Sequence, residues 1–329
     1  MFVEYEYLIS TFGFIVNLFH LTVLTQKSMR TNSVNVILIG IAVNDLYSLL
    51  IPGIQKIDKL LQTCVLPPSS DRIFFTLIML AVRFEARRSA TWLSLSMAII
   101  RTLVASNTTS TRVRTYTHPL FGVFIILITV SVSSTFTILH ILRQEIVQNG
   151  TFVLSEKCED FPENAEIPTF AVSLIPLFAA NNNLLSKVLI SFDSVVSRVL
   201  PCLLFPIVTF LLIRELRKAS DNRRRLSFEK PDKYGGDRTT RLVTYLTTTF
   251  FVAEFPLGIL YLVQANTQNP ELFHQIACVM DFFFILLDAN ATSHCFICLA
   301  MSSQYRATAA TILRIDMHRV RQTISWQNV

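Results

Sequence analysis

Charge is scarce in this chain of 329 residues: Asp, Glu, Lys and Arg make up 16% of it, against about 25% in soluble globular domains. A surface that poor in charge cannot be kept wet, so a bilayer must solvate much of the chain. Glycine and proline are also few, 8 and 12, so linkers and low-complexity tracts do not dominate. No repeat recurs at a solenoid or propeller period. No cysteine spacing matches a structural zinc site, and there is no phosphate loop. The histidines, His20, His118, His140, His274, His294 and His318, are scattered, with no two at metal-binding or triad spacing. The sequence therefore offers no constellation for an enzyme.

What is present is hydrophobic: 51% of the residues, with a mean hydropathy of +0.47. Apolar stretches lie at about 5–25, 33–55, 73–105, 118–141, 187–213, 241–265 and 273–301, each near or above the ~20 residues a membrane helix needs. The expected fold is all-α, a bundle of seven transmembrane helices. Residues 1–305 form the membrane domain, and 306–329 form a tail that opens as an amphipathic helix. Seven crossings put the termini on opposite sides. Of the 29 basic residues, eighteen fall on one set of connecting segments, five on the other and six within spans. Lys and Arg collect in cytoplasmic loops, so the N-terminus is expected outside. The net charge of +6 then reflects positive-inside topology and gives no reason to invoke nucleic acid. The first span begins almost at Met1 with no cleavable signal pattern before it, and is expected to act as a signal anchor.

Topology sorts the six cysteines. Cys64 and Cys158 fall in the first and second outer loops, where an oxidising lumen permits pairing. Cys278, near the outer end of the seventh span, is a competing partner. Cys202, Cys295 and Cys298 lie within spans and read as packing residues. Of three Asn-x-Ser/Thr sequons, only Asn149-Gly150-Thr151 is expected outside, where Asn149 can carry a glycan.

Polar residues then mark each span. The first carries Asn17 and the second Asn44-Asp45. The third ends Ser94-Leu95-Ser96-Met97-Ala98-Ile99-Ile100-Arg101-Thr102. The fifth holds Leu200-Pro201-Cys202 and runs into Arg214-Glu215-Leu216-Arg217-Lys218. The sixth reads Phe250-Phe251-Val252-Ala253-Glu254-Phe255-Pro256, and the seventh Asn290-Ala291-Thr292-Ser293-His294-Cys295, followed by Tyr305-Arg306. In this order the motifs resemble the nematode serpentine receptor class W chemoreceptors, a rhodopsin-like G-protein-coupled receptor family similar to FMRFamide-type peptide receptors. The resemblance implies a receptor in the plasma membrane, in sensory-neuron cilia, with a peptide-like or environmental ligand and a heterotrimeric G protein as partner. It implies switch positions at Asp45, Thr91, Pro201, Phe250, Pro256, Asn290 and His294. The G-protein face falls at Arg101, Arg217, Lys218 and Arg241.

Three departures stand out. The acid that normally precedes the arginine is replaced in Ile100-Arg101-Thr102, so Arg101 lacks its local partner. The seventh span reads His294-Cys295-Phe296-Ile297-Cys298, without the usual proline and tyrosine. The serine of the usual sodium site aligns with Ala90, which argues against sodium at Asp45; no other cofactor is expected. A mid-membrane carboxylate is costly and marks function, although contact with Asn17 alone could satisfy Asp45.

Arg83, Glu85, Arg87 and Arg88 in the third span are the most informative residues. A helix starting at Ser89 would reach Arg101 after a rise of only about 18 Å, too short for the roughly 30 Å hydrocarbon core. Arg83 and Arg87 therefore lie at membrane depth. They share one face with Arg101, which must look into the bundle. Buried charges need partners, and the expected pairs are Arg87–Glu254 and Arg83–Asp288, with Asp193 pointing to the same cavity. These pairs either only hold helices together or yield to a ligand's acidic group. The function expected is reception of an extracellular peptide or small acid. The rival, a seven-helix transporter or channel, predicts matched broken helices, which the sequence does not show.

Overall fold

The computed structural model describes residues 2–60, 66–106, 111–153, 165–226, 235–267 and 269–314. It is helical, and seven helical stretches are long and apolar enough to cross a membrane. The spans are α1 (Phe2–Leu24), α2 (Ser33–Leu60), α3 (Ser70–Ser106), α5 (Pro119–Leu142), α6 (Pro176–Ser194) running through a π-helical turn into α7 (Leu200–Leu226), α8 (Gly235–Asn266) and α9 (Pro270–Met301). A short α4 (Thr111–Thr117) precedes the fourth span, and α10 (Ser303–Ile312) follows the seventh. Helix starts follow local chemistry. At α9 the Asn269 side chain accepts from the amides of Glu271 and Leu272, ahead of Pro270. At α10 the Ser302 hydroxyl accepts from the Tyr305 amide at 3.1 Å. Both satisfy amides that a helix start leaves without intrahelical partners.

Two features depart from the sequence reading. The segment after the fourth span is an antiparallel hairpin, β1 (Gln144–Val153) and β2 (Glu166–Leu174). The fifth span begins at Pro176 rather than near 187. Its first helix, α6 (Pro176–Ser194), breaks at Asn181, Asn182 and Asn183, all with positive φ, a conformation asparagine tolerates better than other side-chain-bearing residues. A π-helical turn, Val195–Val199, then leads into α7 (Leu200–Leu226). Asn149 is exposed at the register irregularity of β1. Cys64 and Cys158 lie outside the described residues, and Cys278 is an exposed free thiol.

The third span is the hub, packed against α2, α5 and α7. Tyr305 of α10 is fully buried with Val23, Leu24 and Met29, so the amphipathic helix belongs to the bundle from its first turn. Close approach of α5 to α2 depends on Gly122, where a Cβ would sit 2.7 Å from the backbone oxygen of Ser33. Gly122→Ala should therefore lower the melting temperature of detergent-purified protein, with overpacking of about 1–3 kcal/mol. Gly53→Ala, whose Cβ would meet nothing within 4 Å, should not.

Candidate functional site

Five buried or half-buried arginines converge within the half of the bundle nearest the hairpin, and each carboxylate there is taken by a specific partner. Arg83 and Arg87, both more than nine-tenths buried, share one face of α3. They meet Asp288 of α9, Arg87 at 2.5 Å and Arg83 at 3.2 Å. Arg83 also pairs with Glu6 of α1. Asp288 accepts from the Ser10 hydroxyl at 2.6 Å, and Arg87 Nε donates to Ser48 of α2 at 2.9 Å. The Phe284 ring lies 4.7 Å from the Arg87 guanidinium carbon. Two cations and two anions here bind α1, α2, α3 and α9 into one neutral lock.

One residue further along α3, Arg88 points to the other side. It pairs with Asp193 of α6 at 2.9 Å and donates to the Ser133 carbonyl of α5 at 2.8 Å. Asp193 is also bonded to His140 Nε2 at 2.9 Å and accepts from Ser197 at 2.5 Å. Arg198, on the π-helical turn, pairs with Glu254 of α8 at 2.9 Å and lies 4.7 Å from the Tyr261 ring centroid. The expected Arg87–Glu254 pair is therefore corrected: Arg87 is held by Asp288, and Glu254 by Arg198, with Thr91 Oγ1 at 3.5 Å. The π turn shifts the register of the fifth span and brings in an arginine that spacing alone assigned no role.

Two cavities flank these pairs. The upper one, about 320 Å³, opens beneath the hairpin. Its charged lining comprises Arg87, Arg88, Arg143, Arg198, Asp193 and Glu254, with His140 beside them, opposite an apolar wall that includes Leu80, Phe84 and Phe273. Arg143 donates to the Ser186 hydroxyl at 2.9 Å. Burial holds its guanidinium pKa below the ordinary value, which the Asp193 carboxylate partly offsets. Arg87 Nη1, Arg88 Nε and Arg143 Nε are buried without a hydrogen-bond partner among the described residues. All three are donors. With Arg87 neutralised by Asp288, Arg88, Arg143 and Arg198 against Asp193 and Glu254 leave one excess positive charge among the described lining residues.

The lower cavity, about 200 Å³, extends from Arg87 to Arg101 and Tyr305. Arg87, Thr91 and Glu254 line both cavities, so they form the partition. Below it, Asp45 is bonded to His294 Nδ1 at 2.8 Å. Asn17 does not hold Asp45; it donates to the carbonyls of Gly13 and Ala291. Phe250 packs on Phe205 with ring centroids 4.6 Å apart. Asn290 accepts from Thr249 at 3.3 Å, and Pro201 is buried just past the π turn. Pro256 lies inside α8. Arg101 is half-buried at the cavity floor, while Arg217 and Lys218 are exposed on α7. The side chain of Arg241 lies outside the described residues. Burial raises the pKa of the Tyr305 phenol; it stays protonated, 2.8 Å from His20 Nδ1.

Seven apolar spans enclosing a charged cavity are the architecture of a multi-pass receptor. The model of the family described as serpentine type 7TM GPCR chemoreceptor Srw matches residues 4–316, and the chain belongs to that family. The chain is also similar to a protein of Caenorhabditis elegans named G-protein coupled receptor dmsr-1. The two are 25% identical over 339 aligned positions, taking in 89% of this chain and 64% of that protein.

Proposed function

We propose that this receptor takes an acidic, peptide-like ligand from outside the cell into the upper cavity and passes the signal to a heterotrimeric G protein at the opposite end. The observation carrying this reading is the pair of buried guanidinium N–H groups, Arg88 Nε and Arg143 Nε, that lack a partner among the described residues, on the wall of one cavity whose described lining carries excess positive charge. Unpaired buried donors are costly, and a carboxylate supplies the acceptors they lack. A volume of about 320 Å³ suits a small acid or the end of a peptide. The apolar wall suits a side chain beside the acid.

The orientation that puts this cavity outside rests on the distribution of Lys and Arg. Arg101, Arg217, Lys218 and Arg241 then face the cytoplasm and the G protein. Location in the plasma membrane of sensory cilia belongs to the same reading. The test is a screen of secreted peptides and small acids on cells carrying the full chain and a promiscuous Gα. Acidic agonists should dominate the hits. Arg88→Ala and Arg143→Ala should each weaken their potency roughly tenfold or more, as loss of one charged hydrogen bond of about 1.5–3 kcal/mol requires. A ligand-driven ion current without any G-protein signal would instead mark a channel.

A further inference from the structure

Glu254 has one cationic partner, Arg198, and shares the partition between the two cavities with another arginine, Arg87. Its present partner, Arg198, sits on the π-helical turn Val195–Val199, and such turns insert a residue and re-aim side chains. The turn rests against Gly258 of α8, where a Cβ would lie 3.1 Å from Arg198 Cβ and 3.1 Å from Val199 Cγ2. A methyl at Gly258 would make a tighter contact than most, so the missing side chain eases this close approach. Arg198 therefore lies on the upper-cavity wall, bonded to Glu254 at 2.9 Å. Arg87 lines both cavities with Glu254, and its Nη1 is buried without a partner among the described residues while its Nη2 is engaged by Asp288. Thr91, 3.5 Å from Glu254, completes the partition.

We propose that Glu254 exchanges partners when the upper cavity is occupied: the ligand's acid takes Arg198, and Glu254 turns to the free Nη1 of Arg87. Arg198 is then the specificity-determining residue of the cavity. The inference rests on the upper cavity being the ligand site. Charge balances at both ends. Before binding, Arg198 pairs with Glu254; afterwards Arg198 pairs with the ligand and Glu254 with Arg87. No buried ion is left alone, which is the costly outcome in an interior. A neutral ligand cannot drive the exchange, because it offers Arg198 no replacement anion. The movement has a route downward. Glu254 lies one helical turn after Phe250, which packs on Phe205, and two residues before Pro256, a natural bend point. Drawing Glu254 towards α3 therefore repositions the aromatic pair lining the lower cavity.

The experiment needs no ligand. Arg198→Ala frees Glu254 as the ligand would. In the full chain, two quantities are read: basal G-protein signalling in cells, and the distance between nitroxide labels at Ser106 of α3 and Thr248 of α8 in purified receptor. Arg198→Ala should raise the basal signal on the order of fivefold or more and shift the label distance. Adding Glu254→Gln should abolish both changes. Arg198→Gln, which keeps a hydrogen-bond donor without the charge, gives the same test if the alanine variant does not reach the surface. A distance that stays unchanged in the Arg198 variants, or a shift that persists with Glu254→Gln, overturns the exchange. A distance shift of the expected kind with a silent reporter upholds the exchange and overturns the G-protein reading instead.

Discussion

Asp288→Ala is expected to leave little folded receptor in the membrane. This carboxylate is 1% exposed and takes hydrogen bonds from Arg83, Arg87 and Ser10. Removing it strands two buried guanidiniums, of which only Arg83 keeps another acid, Glu6. Breaking a buried pair this way costs about 3–5 kcal/mol, a large part of the roughly 5–15 kcal/mol that holds a typical domain folded. Surface expression should fall at least tenfold, in the range such an energy implies, and the purified protein should show no cooperative melting transition. The control separates charge from shape. Combining Asp288→Leu with Arg83→Met and Arg87→Met replaces the ions by apolar groups of similar bulk, and that exchange is often neutral or stabilising. The triple variant should regain surface expression while giving no response to ligand. If Asp288→Ala alone reaches the surface at the wild-type level, the Arg83–Glu6–Asp288–Arg87 cluster is not what binds α1, α3 and α9.

How much of this was legible beforehand depends on the scale of the pattern. The seven spans follow from apolar runs and the scarcity of charge, and the described residues form seven helical stretches long and apolar enough to cross a membrane. The depth of Arg83 and Arg87 follows from helix rise alone, because a span beginning at Ser89 is too short. Asp288 opposite Arg83 was also readable. Two of the failures, Arg88 and Arg198, share a cause: each needs a rotation that sequence spacing does not encode. Arg88 follows Arg87 by one residue, about 100° around the helix, so it faces α5 and α6 and not the lock. Arg198 sits on a π turn, whose extra residue rotates everything beyond it; regular spacing from Pro201 gives no sign of it. Glu6 falls in the first turns of α1 and its partner is 77 residues away. The hairpin lies between the apolar runs at 118–141 and 187–213, so hydropathy does not show it. Its signal lay in β-branched and aromatic residues such as Ile167, Thr169, Phe170 and Val172, which favour strands.

Arg87→Ala should have the opposite profile to Asp288→Ala: near-normal folding with signalling lost. Asp288 would still be held by Arg83 and Ser10, and Arg83 by Glu6, so no acid in the lock is left without a cation. The loss falls on the partition. Arg87 lines both cavities and carries the unpartnered Nη1. Without it the upper cavity has one guanidinium fewer, and Glu254 has nowhere to go when displaced from Arg198. Removing one partner of a buried charged contact typically costs about 2–5 kcal/mol in binding, which is roughly 30-fold or more in ligand potency. Dose–response curves and cell-surface labelling should be measured on the same cells, because the two quantities are expected to separate. Arg83→Ala provides the comparison. It removes a cation from the lock yet touches neither cavity's lining, so it should reduce expression more than Arg87→Ala and potency less. If Arg87→Ala keeps a wild-type dose–response curve at normal surface level, Arg87 belongs to the lock alone. The partition between the cavities would then have to work through Thr91 and Glu254 without it.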